Sequence, residues 1–195
     1  MIKKIYNKIN INYLEKNYKS LMEQPHSKLF IDKTRTKLIK KQKKDILCHK
    51  ELYYLRKFNN SLITPKLYSS FSINDDFYLE MEYFKNGDLF DFITKKDLNL
   101  NNRNEDKKLK FKWLIDIINI LNFLKYHSLL YLDLKLENLC ISDNTKIKLI
   151  DLASIHEYDF EKSKELKIYN TIGTEIYMAP EMKDNYVYHN TDIWS

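Results

Sequence analysis

The pattern of hydrophobic and polar residues along this chain predicts one long helix and several short strands. Before the helix, residues 95–110 are rich in Lys, Asn and Asp, which is typical of a solvated connection. The helix itself is predicted to be buried, because apolar residues recur at helical spacing. They are Leu114, Ile117, Ile118, Leu121 and Leu124, with Ile115 and Ile120 widening the apolar surface.

A β-hairpin is predicted over residues 139–150. The run Leu139-Cys140-Ile141 is apolar, residues 142–145 are rich in turn formers, and residues 146–150 partly alternate between polar and apolar types. Further upstream, strand alternation would place Leu38 and Lys40 on one face.

The composition favours a single globular protein in the cytoplasm. The chain has 195 residues, of which 44% are hydrophobic and 14% aromatic, enough for a core. No stretch reaches the length of a transmembrane helix, and residues 1–18 lack the continuous apolar region of a signal peptide. Cys48 and Cys140 have no metal-ligand spacing, and a disulfide between them is not expected.

The net charge of +6 raises the possibility of a nucleic-acid partner, because clustered cations attract phosphates. The distribution of charge argues against it. The 33 basic residues include only three arginines (Arg35, Arg56 and Arg103), and acidic residues are interspersed among them. No nucleic-acid-binding motif is present, so a solvated basic surface is expected instead.

Asp133, Lys135, Asn138 and Asp151 have an order and spacing that resemble those of the protein kinase family. The resemblance implies phosphoryl transfer, which needs an oriented hydroxyl, charge neutralisation and a metal ion. Asp133 would accept or orient a hydroxyl proton, and Lys135 would place a cation against the transferring phosphate. Asn138 and Asp151 offer hard oxygens for Mg²⁺, and the hairpin between them would fold these two ligands back together.

Three segments with this spacing and order resemble the protein kinase family. They match its catalytic loop, its metal-binding turn and the end of its activation segment. The segments are Tyr131-Leu132-Asp133-Leu134-Lys135-Leu136-Glu137-Asn138, Asp151-Leu152-Ala153 and Ala179-Pro180-Glu181.

The resemblance implies an α+β, two-lobed fold that is incomplete at its C-terminal end. Residues 1–17 would be an extension, residues 18–84 the small β-rich lobe with one regulatory helix, and residues 85–195 part of the mainly helical large lobe. The chain stops at Asp192-Ile193-Trp194-Ser195, which resembles the start of the central large-lobe helix. In the family this aspartate anchors the backbone of the catalytic loop.

Residues 173–181 resemble the Gly-Thr-x-x-Tyr-x-Ala-Pro-Glu element of Ser/Thr kinases. The resemblance therefore implies ATP-dependent, Mg²⁺-dependent phosphorylation of Ser or Thr in a protein substrate. Thr174 joins Asp133 and Lys135 as a catalytic residue, and Asn138 and Asp151 are the implied metal ligands.

The resemblance also assigns nucleotide contacts. Lys40 takes the place of the phosphate-positioning lysine, with Lys41 as its main rival, and Glu51 is its candidate partner only eleven positions later. A short helix starting near Asp45 could accommodate that spacing. The full set of implied nucleotide contacts is Leu21, Leu29, Lys40, Glu51, Glu82, Phe84, Asp88 and Cys140.

The chain departs from the family pattern in several places. The glycine-rich loop is missing, because Met22, Gln24 and Ser27 stand where its glycines would be, and the adjoining Glu23 and Pro25 would weaken the grip on phosphate. In the catalytic loop, Leu132 replaces an arginine that binds the phosphorylated activation loop in the family. Ala153 replaces a glycine, and Leu38 replaces a small residue. Glu181 has no arginine to pair with.

Two functions of different classes fit these observations. The first is a Ser/Thr kinase with constitutive activity or activity set by a regulatory protein partner. The alternative is a pseudokinase, a binding or scaffolding module in which the degraded phosphate loop impairs nucleotide use.

Overall fold

The computed structural model describes residues 11–23, 25–95, 103–160, 165–168 and 173–195. The chain divides into two compact units, an N-terminal unit of residues 1–85 and a C-terminal unit of residues 86–195. Gln24 and most of the extension predicted before residue 18 lie outside the described residues.

The N-terminal unit is built on a five-stranded antiparallel sheet in the order β1-β2-β3-β5-β4. Two helices accompany it, α1 (Ile11–Asn17) before the first strand and α2 (Ile46–Lys57) after the third. The strands are β1 (Tyr18–Glu23), β2 (Ser27–Asp32), β3 (Lys37–Lys43), β4 (Leu67–Ile73) and β5 (Asp76–Glu82).

One face of this sheet carries an apolar cluster centred on Ile39, which is 1% exposed. Tyr18 and Tyr78 are buried beside it, and Leu14 of α1 packs against them. Because side chains alternate along a strand, Lys40 is on the opposite face, where Leu29 is its cross-strand neighbour. The sheet therefore separates its core from the lysine that the sequence singled out.

Helix α2 starts where the sequence predicted a short helix. Asp45 is its N-cap and accepts a 2.8 Å hydrogen bond from the backbone N–H of Cys48, while the Cys48 thiol accepts one from the Asp45 N–H. Only two residues separate the end of β3 at Lys43 from Ile46. The helix is thereby fixed close to the strand that carries Lys40.

The C-terminal unit combines helices with three short antiparallel strand pairs, β6–β9, β7–β8 and β10–β11. Its helices are α3 (Leu89–Lys95), α4 (Arg103–Tyr126) and α5 (Thr191–Trp194). Its strands are β6 (Leu129–Leu130), β7 (Leu139–Ile141), β8 (Ile147–Leu149), β9 (His156–Glu157), β10 (Leu166–Lys167) and β11 (Tyr186–Val187). The hairpin predicted over residues 139–150 is confirmed as β7–β8.

Helix α4 confirms the predicted long helix but starts at Arg103, inside the stretch predicted as a connection. The buried face predicted for it is partly wrong, because Leu114, Ile115 and Ile118 are exposed. The face packed in the core carries Trp113, Asp116, Ile120 and Leu124 instead. The reason is polar anchoring, since Trp113 donates to the Thr145 carbonyl and Asp116 accepts from Lys146 and from the Ile147 N–H. In the described ranges, no helix has the length and hydrophobicity needed to cross a membrane.

Candidate active site

Three predicted catalytic side chains meet in the C-terminal unit. Lys135 Nζ donates a 2.6 Å hydrogen bond to Thr174 Oγ1, and this hydroxyl donates at 2.9 Å to Asp133 Oδ1. Lys135 Nζ also lies 3.1 Å from Asp133 Oδ2. A carboxylate, an ammonium group and a hydroxyl therefore form a closed network of charge-assisted contacts.

Asn138 ends a short 3-10 helix, Leu136–Asn138, and lies beside the same carboxylate. Its Nδ2 donates to the Asp133 backbone oxygen at 2.8 Å and to Asp133 Oδ2 at 2.9 Å. Since the amide nitrogen faces Asp133, the amide oxygen Oδ1 is on the opposite side of the group. The orientation of Asn138 is thus fixed, with its hard oxygen turned away from the Asp133 carboxylate.

The loop that carries Asp133 is anchored by Asp192 of α5. Its carboxylate accepts hydrogen bonds from the backbone N–H groups of Tyr131 and Leu132, both at 2.7 Å. Leu132 has a φ of 68°, so its backbone is in the left-handed region and aims its N–H at Asp192. Burial raises the pKa of Asp192 above its ordinary value. The anchoring role implied for Asp192 by the family resemblance is confirmed.

The predicted metal ligand Asp151 is tied to the same loop through its backbone. The fully buried Tyr131 donates its hydroxyl to the carbonyl oxygens of Ile150 at 2.6 Å and of Asp151 at 3.2 Å. The Ile150 N–H donates to the Asn138 carbonyl at 3.0 Å. Asp151 has a φ of 54° and an exposed side chain. The role of the Tyr131 hydroxyl was missed in the sequence, although a buried tyrosine usually needs a partner for its O–H.

Asn138 and Asp151 supply a donor set that suits Mg²⁺. Both offer hard oxygens, and a set of two protein ligands leaves coordination positions for water and phosphate oxygens, as Mg²⁺ prefers. In the described part of the chain, no group of three or more His, Cys, Asp or Glu side chains could hold a metal ion.

The N-terminal unit brings Lys40 and Glu51 together. Lys40 Nζ lies 2.8 and 2.9 Å from the two carboxylate oxygens of Glu51, whose side chain is almost fully buried. The rival Lys41 points to the other face of β3, where it pairs with Asp76 at 2.7 Å. The structure also adds Gln42, which was not predicted to belong to the site and donates to Glu51 at 3.1 Å.

The segment that replaces the glycine-rich loop forms a β-hairpin from β1 and β2. Leu21 lies in a β-bulge of β1 and is 44% exposed, whereas Leu29 lies on β2 and is half-buried. Glu23 and Lys28 form a 2.6 Å ion pair across the hairpin. Met22, at a position where the family has glycine, is 51% exposed. Side chains therefore surround the backbone that would have to approach phosphate.

The residues predicted to contact the base and ribose are at the end of β5 and just beyond it. Glu82 donates its backbone N–H to the Lys66 carbonyl at 2.8 Å, and Phe84 is buried. Asp88 accepts a 2.8 Å hydrogen bond from the Asp91 N–H and so caps α3. Cys140 bridges to Asp88 in the backbone, and burial, with a contribution from the Asp88 charge, raises its thiol pKa to about 12.

Leu132, which is 3% exposed, belongs to an apolar cluster that includes described residues of the predicted activation segment. Gly173 lies against this residue with a φ of +96°, and a Cβ there would come within 2.5 Å of the Leu132 carbonyl oxygen. The buried apolar residues around Leu132 are called the Leu132 cluster below. They are Leu130, Leu132, Tyr158, Ile168, Ala179, Met182 and Val187, and Phe160, Leu166 and Met178 pack against them.

Glu181, for which the sequence offers no arginine, has a hydroxyl group as a partner in the structure. Thr191 donates its hydroxyl to Glu181 Oε1 at 2.8 Å, and Glu181 itself is only partly buried. Without full burial, the carboxylate does not require an arginine to offset its desolvation. The Thr191 hydroxyl at the start of α5 is the hydrogen-bond partner of Glu181 in place of an arginine.

Comparison with known families identifies the chain. The family model for the protein kinase domain matches residues 18–195, and the chain belongs to the protein kinase family. This confirms the predicted family and the α+β kinase fold, with its antiparallel sheet in the N-terminal unit.

Three relatives that the chain resembles are kinases of much greater length. A probable serine/threonine-protein kinase of Dictyostelium discoideum is 32% identical over 71% of this chain and 22% of its own length. A serine/threonine-protein kinase of Schizosaccharomyces pombe is 28% identical over 83% of this chain and 24% of its own. Myosin light chain kinase 3 of Rattus norvegicus is 35% identical over 67% of this chain and 16% of its own. The chain spans about a quarter or less of these relatives.

Proposed function

We propose that this chain is a protein Ser/Thr kinase that transfers the γ-phosphate of ATP to a hydroxyl of a protein substrate. The observation that carries the proposal is the contact network of Asp133, Lys135 and Thr174, with Asn138 bonded to the same carboxylate. A structural core would gain little from burying such groups together, whereas phosphoryl transfer requires each of them.

In the proposed reaction, the substrate hydroxyl oxygen forms a new bond to the γ-phosphorus as the bond from that phosphorus to the bridging oxygen breaks, releasing ADP. Asp133 would orient the hydroxyl and take its proton, and Lys135 would stabilise the negative charge that spreads over the transferring group. Thr174 would hold these two side chains in register. A bound Mg²⁺ would neutralise charge on the phosphates, and Asn138 and Asp151 are the residues that would hold it.

The Lys40–Glu51 pair would position the ATP phosphates. Glu51 fixes the ammonium group, and Lys40 would place that positive charge against a phosphate oxygen. The glycine-free hairpin weakens the remaining phosphate contacts, because side chains prevent close approach and Glu23 adds a negative charge. We therefore expect phosphotransfer with weak ATP binding.

Regulation through a phosphorylated activation segment is not part of the proposal. Leu132 cannot bind phosphate, and it packs in the Leu132 cluster, which fixes the described parts of the segment by apolar contacts. Activity would therefore be constitutive or set by a protein partner.

A pseudokinase is the second candidate, and one observation favours it. In the described part of the β1–β2 hairpin, Pro25 supplies no N–H donor, and Met22 and Ser27 carry side chains where the family has glycine. If that hairpin excludes nucleotide, the fold would serve as a binding module instead.

Two measurements on the 195-residue chain separate these functions. The first is thermal unfolding with and without Mg-ATP, since a ligand at a hundredfold its Kd stabilises a protein by about 2.7 kcal/mol. The second is transfer of radiolabelled phosphate to a test protein, with Asp133→Asn as the control. A thermal shift with transfer that Asp133→Asn abolishes supports the kinase. An unchanged transition, or a shift without any transfer, supports the pseudokinase.

A further inference from the structure

Gln42 makes a contact that no kinase motif in the sequence requires. It lies two positions after Lys40 on β3, so both side chains are on the same face of the sheet. Its Nε2 donates to Glu51 Oε2 at 3.1 Å, and Lys40 contacts the same oxygen at 2.9 Å. One carboxylate therefore accepts from two side chains of a single strand.

The burial of Glu51 explains why a second donor matters. The residue is 3% exposed, and a carboxylate removed from water is costly unless several donors surround it. The amide of Gln42 supplies such a donor without adding charge. It therefore satisfies Glu51 and leaves the attraction between Glu51 and Lys40 intact.

The hydrogen bond from Gln42 to Glu51 connects strand β3 to helix α2. Helix α2 is already fixed at its start, where Asp45 caps it two residues after β3 ends. At its last turn, Arg56 donates to the Ser70 hydroxyl of β4 at 3.0 Å. Glu51 lies between these two anchors, so the hydrogen bond from Gln42 joins the middle of the helix to β3.

We propose that Gln42 is a positioning residue that holds Glu51, and with it helix α2, against β3 before nucleotide binds. The inference rests on the proposed function for the part that concerns ATP, because it assumes that Lys40 binds phosphate. This hydrogen bond, called the tether below, holds the Lys40–Glu51 pair in place before ATP binds. Because glycine is missing from the β1–β2 hairpin, the pair supplies a larger share of the contacts with phosphate.

The test compares two substitutions of nearly equal size in the full chain. Gln42→Met keeps length and volume but removes the donor, and Gln42→Glu keeps the shape but sets a negative charge beside Glu51. Lys43→Gln is the matched control, because Lys43 is on the opposite face of β3 and its side chain is 78% exposed.

We expect Gln42→Met to raise the KM for ATP about tenfold, the loss typical of a hydrogen bond to a charged group, with a smaller change in kcat. Gln42→Glu should be worse than Gln42→Met because of like-charge repulsion. If Gln42 only filled space, Gln42→Met, which keeps the volume, would have the wild-type KM for ATP, and that result would overturn the inference. A KM raised only in Gln42→Glu would overturn it too, because a second carboxylate repels Glu51 whether or not Gln42 is a donor.

Hydrogen–deuterium exchange of the α2 amides, measured without nucleotide, tests the tether separately from catalysis. Faster exchange in both Gln42 variants, but not in Lys43→Gln, supports it, and unchanged exchange refutes it. If wild type neither binds nor uses ATP, the proposed function fails, and the exchange data still decide the role of Gln42.

Discussion

The ammonium group of Lys135 donates a 2.6 Å hydrogen bond to the hydroxyl of Thr174, a residue 39 positions later in the chain. This contact links the loop that carries the proposed base to the segment on which a protein substrate would lie. It also fixes Lys135 beside Asp133, at a distance where the two charges stabilise each other. The state of the activation segment is therefore coupled to the geometry of the proposed catalytic pair.

Replacing Thr174 with Val should lower kcat by about tenfold to a hundredfold, because one hydroxyl bonds both charged partners. Thr174→Ser retains the hydroxyl and should keep most of the activity. Steady-state phosphotransfer kinetics would check both. Activity lost in Thr174→Ser but kept in Thr174→Val would show that the methyl group, rather than the hydroxyl, is what matters.

Glu80 should make the N-terminal unit sensitive to acid. Burial alone would raise its pKa, but hydrogen bonds from Tyr18, Ser69 and Lys37 outweigh burial and lower the pKa below its ordinary 4.5. A lowered folded-state pKa gives stability that is present above pH 4.5 and lost as the pH falls through the folded-state value.

Glu80→Gln should therefore reduce the free energy of unfolding at pH 7 by about 1 to 3 kcal/mol and flatten its decline below pH 4.5. Urea unfolding across the acid range measures both effects. Glu23→Gln is the control, since it removes an exposed ion pair and should change stability by less than about 0.5 kcal/mol. If the free energy of unfolding fell equally with pH in wild type and in Glu80→Gln, Glu80 would not be the source of the acid sensitivity.

Introducing glycine into the β1–β2 hairpin should improve ATP binding. In the double variant with Met22→Gly and Ser27→Gly, the backbone can approach phosphate closely, so the KM for ATP should fall by severalfold with kcat little changed. Each glycine in a strand should cost about 0.5 to 1 kcal/mol of stability. A KM that stays the same would mean that the hairpin does not contact nucleotide.

Leu132→Arg should destabilise the protein rather than install phosphate-dependent control. The side chain is 3% exposed within the Leu132 cluster, and an unpaired buried cation there should cost about 3 kcal/mol or more. Leu132→Met keeps the apolar volume and should cost less than about 1.5 kcal/mol. Chemical denaturation of both variants provides the comparison, and an arginine variant as stable as the methionine variant would be evidence against a packed cluster.

The sequence was most informative where a local pattern coincided with a chemical requirement. Strand alternation separated Lys40 from Lys41, and a helix that starts near Asp45 could accommodate the short spacing to Glu51. The kinase motifs were sufficient to group Asp133 with Lys135, because loop residues so close in sequence remain close in space.

Contacts that depend on packing could not be predicted in the same way. Apolar residues surround helix α4 on more than one side, so periodicity alone could not identify the face that Trp113 and Asp116 anchor. Gln42 is one polar residue in a lysine-rich strand, and Thr191 is a threonine at the start of a helix, where threonine is common. Their hydrogen bonds to Glu51 and Glu181 could be identified only from the fold, which places each of them beside a carboxylate.

Scarce glycine has a consequence for how the chain builds its turns. The sequence has two glycines, and while Gly173 has no room for a side chain, Gly87 has open space where a Cβ would be. Elsewhere in the described residues, side-chain-bearing residues such as Arg35 and Ser128 adopt positive φ, each at a cost of about 1 kcal/mol. Glycine at those two exposed turns relieves that strain without touching the proposed site. The strain at these turns is therefore separate from the proposed catalytic groups, and its effect on stability can be tested without altering them.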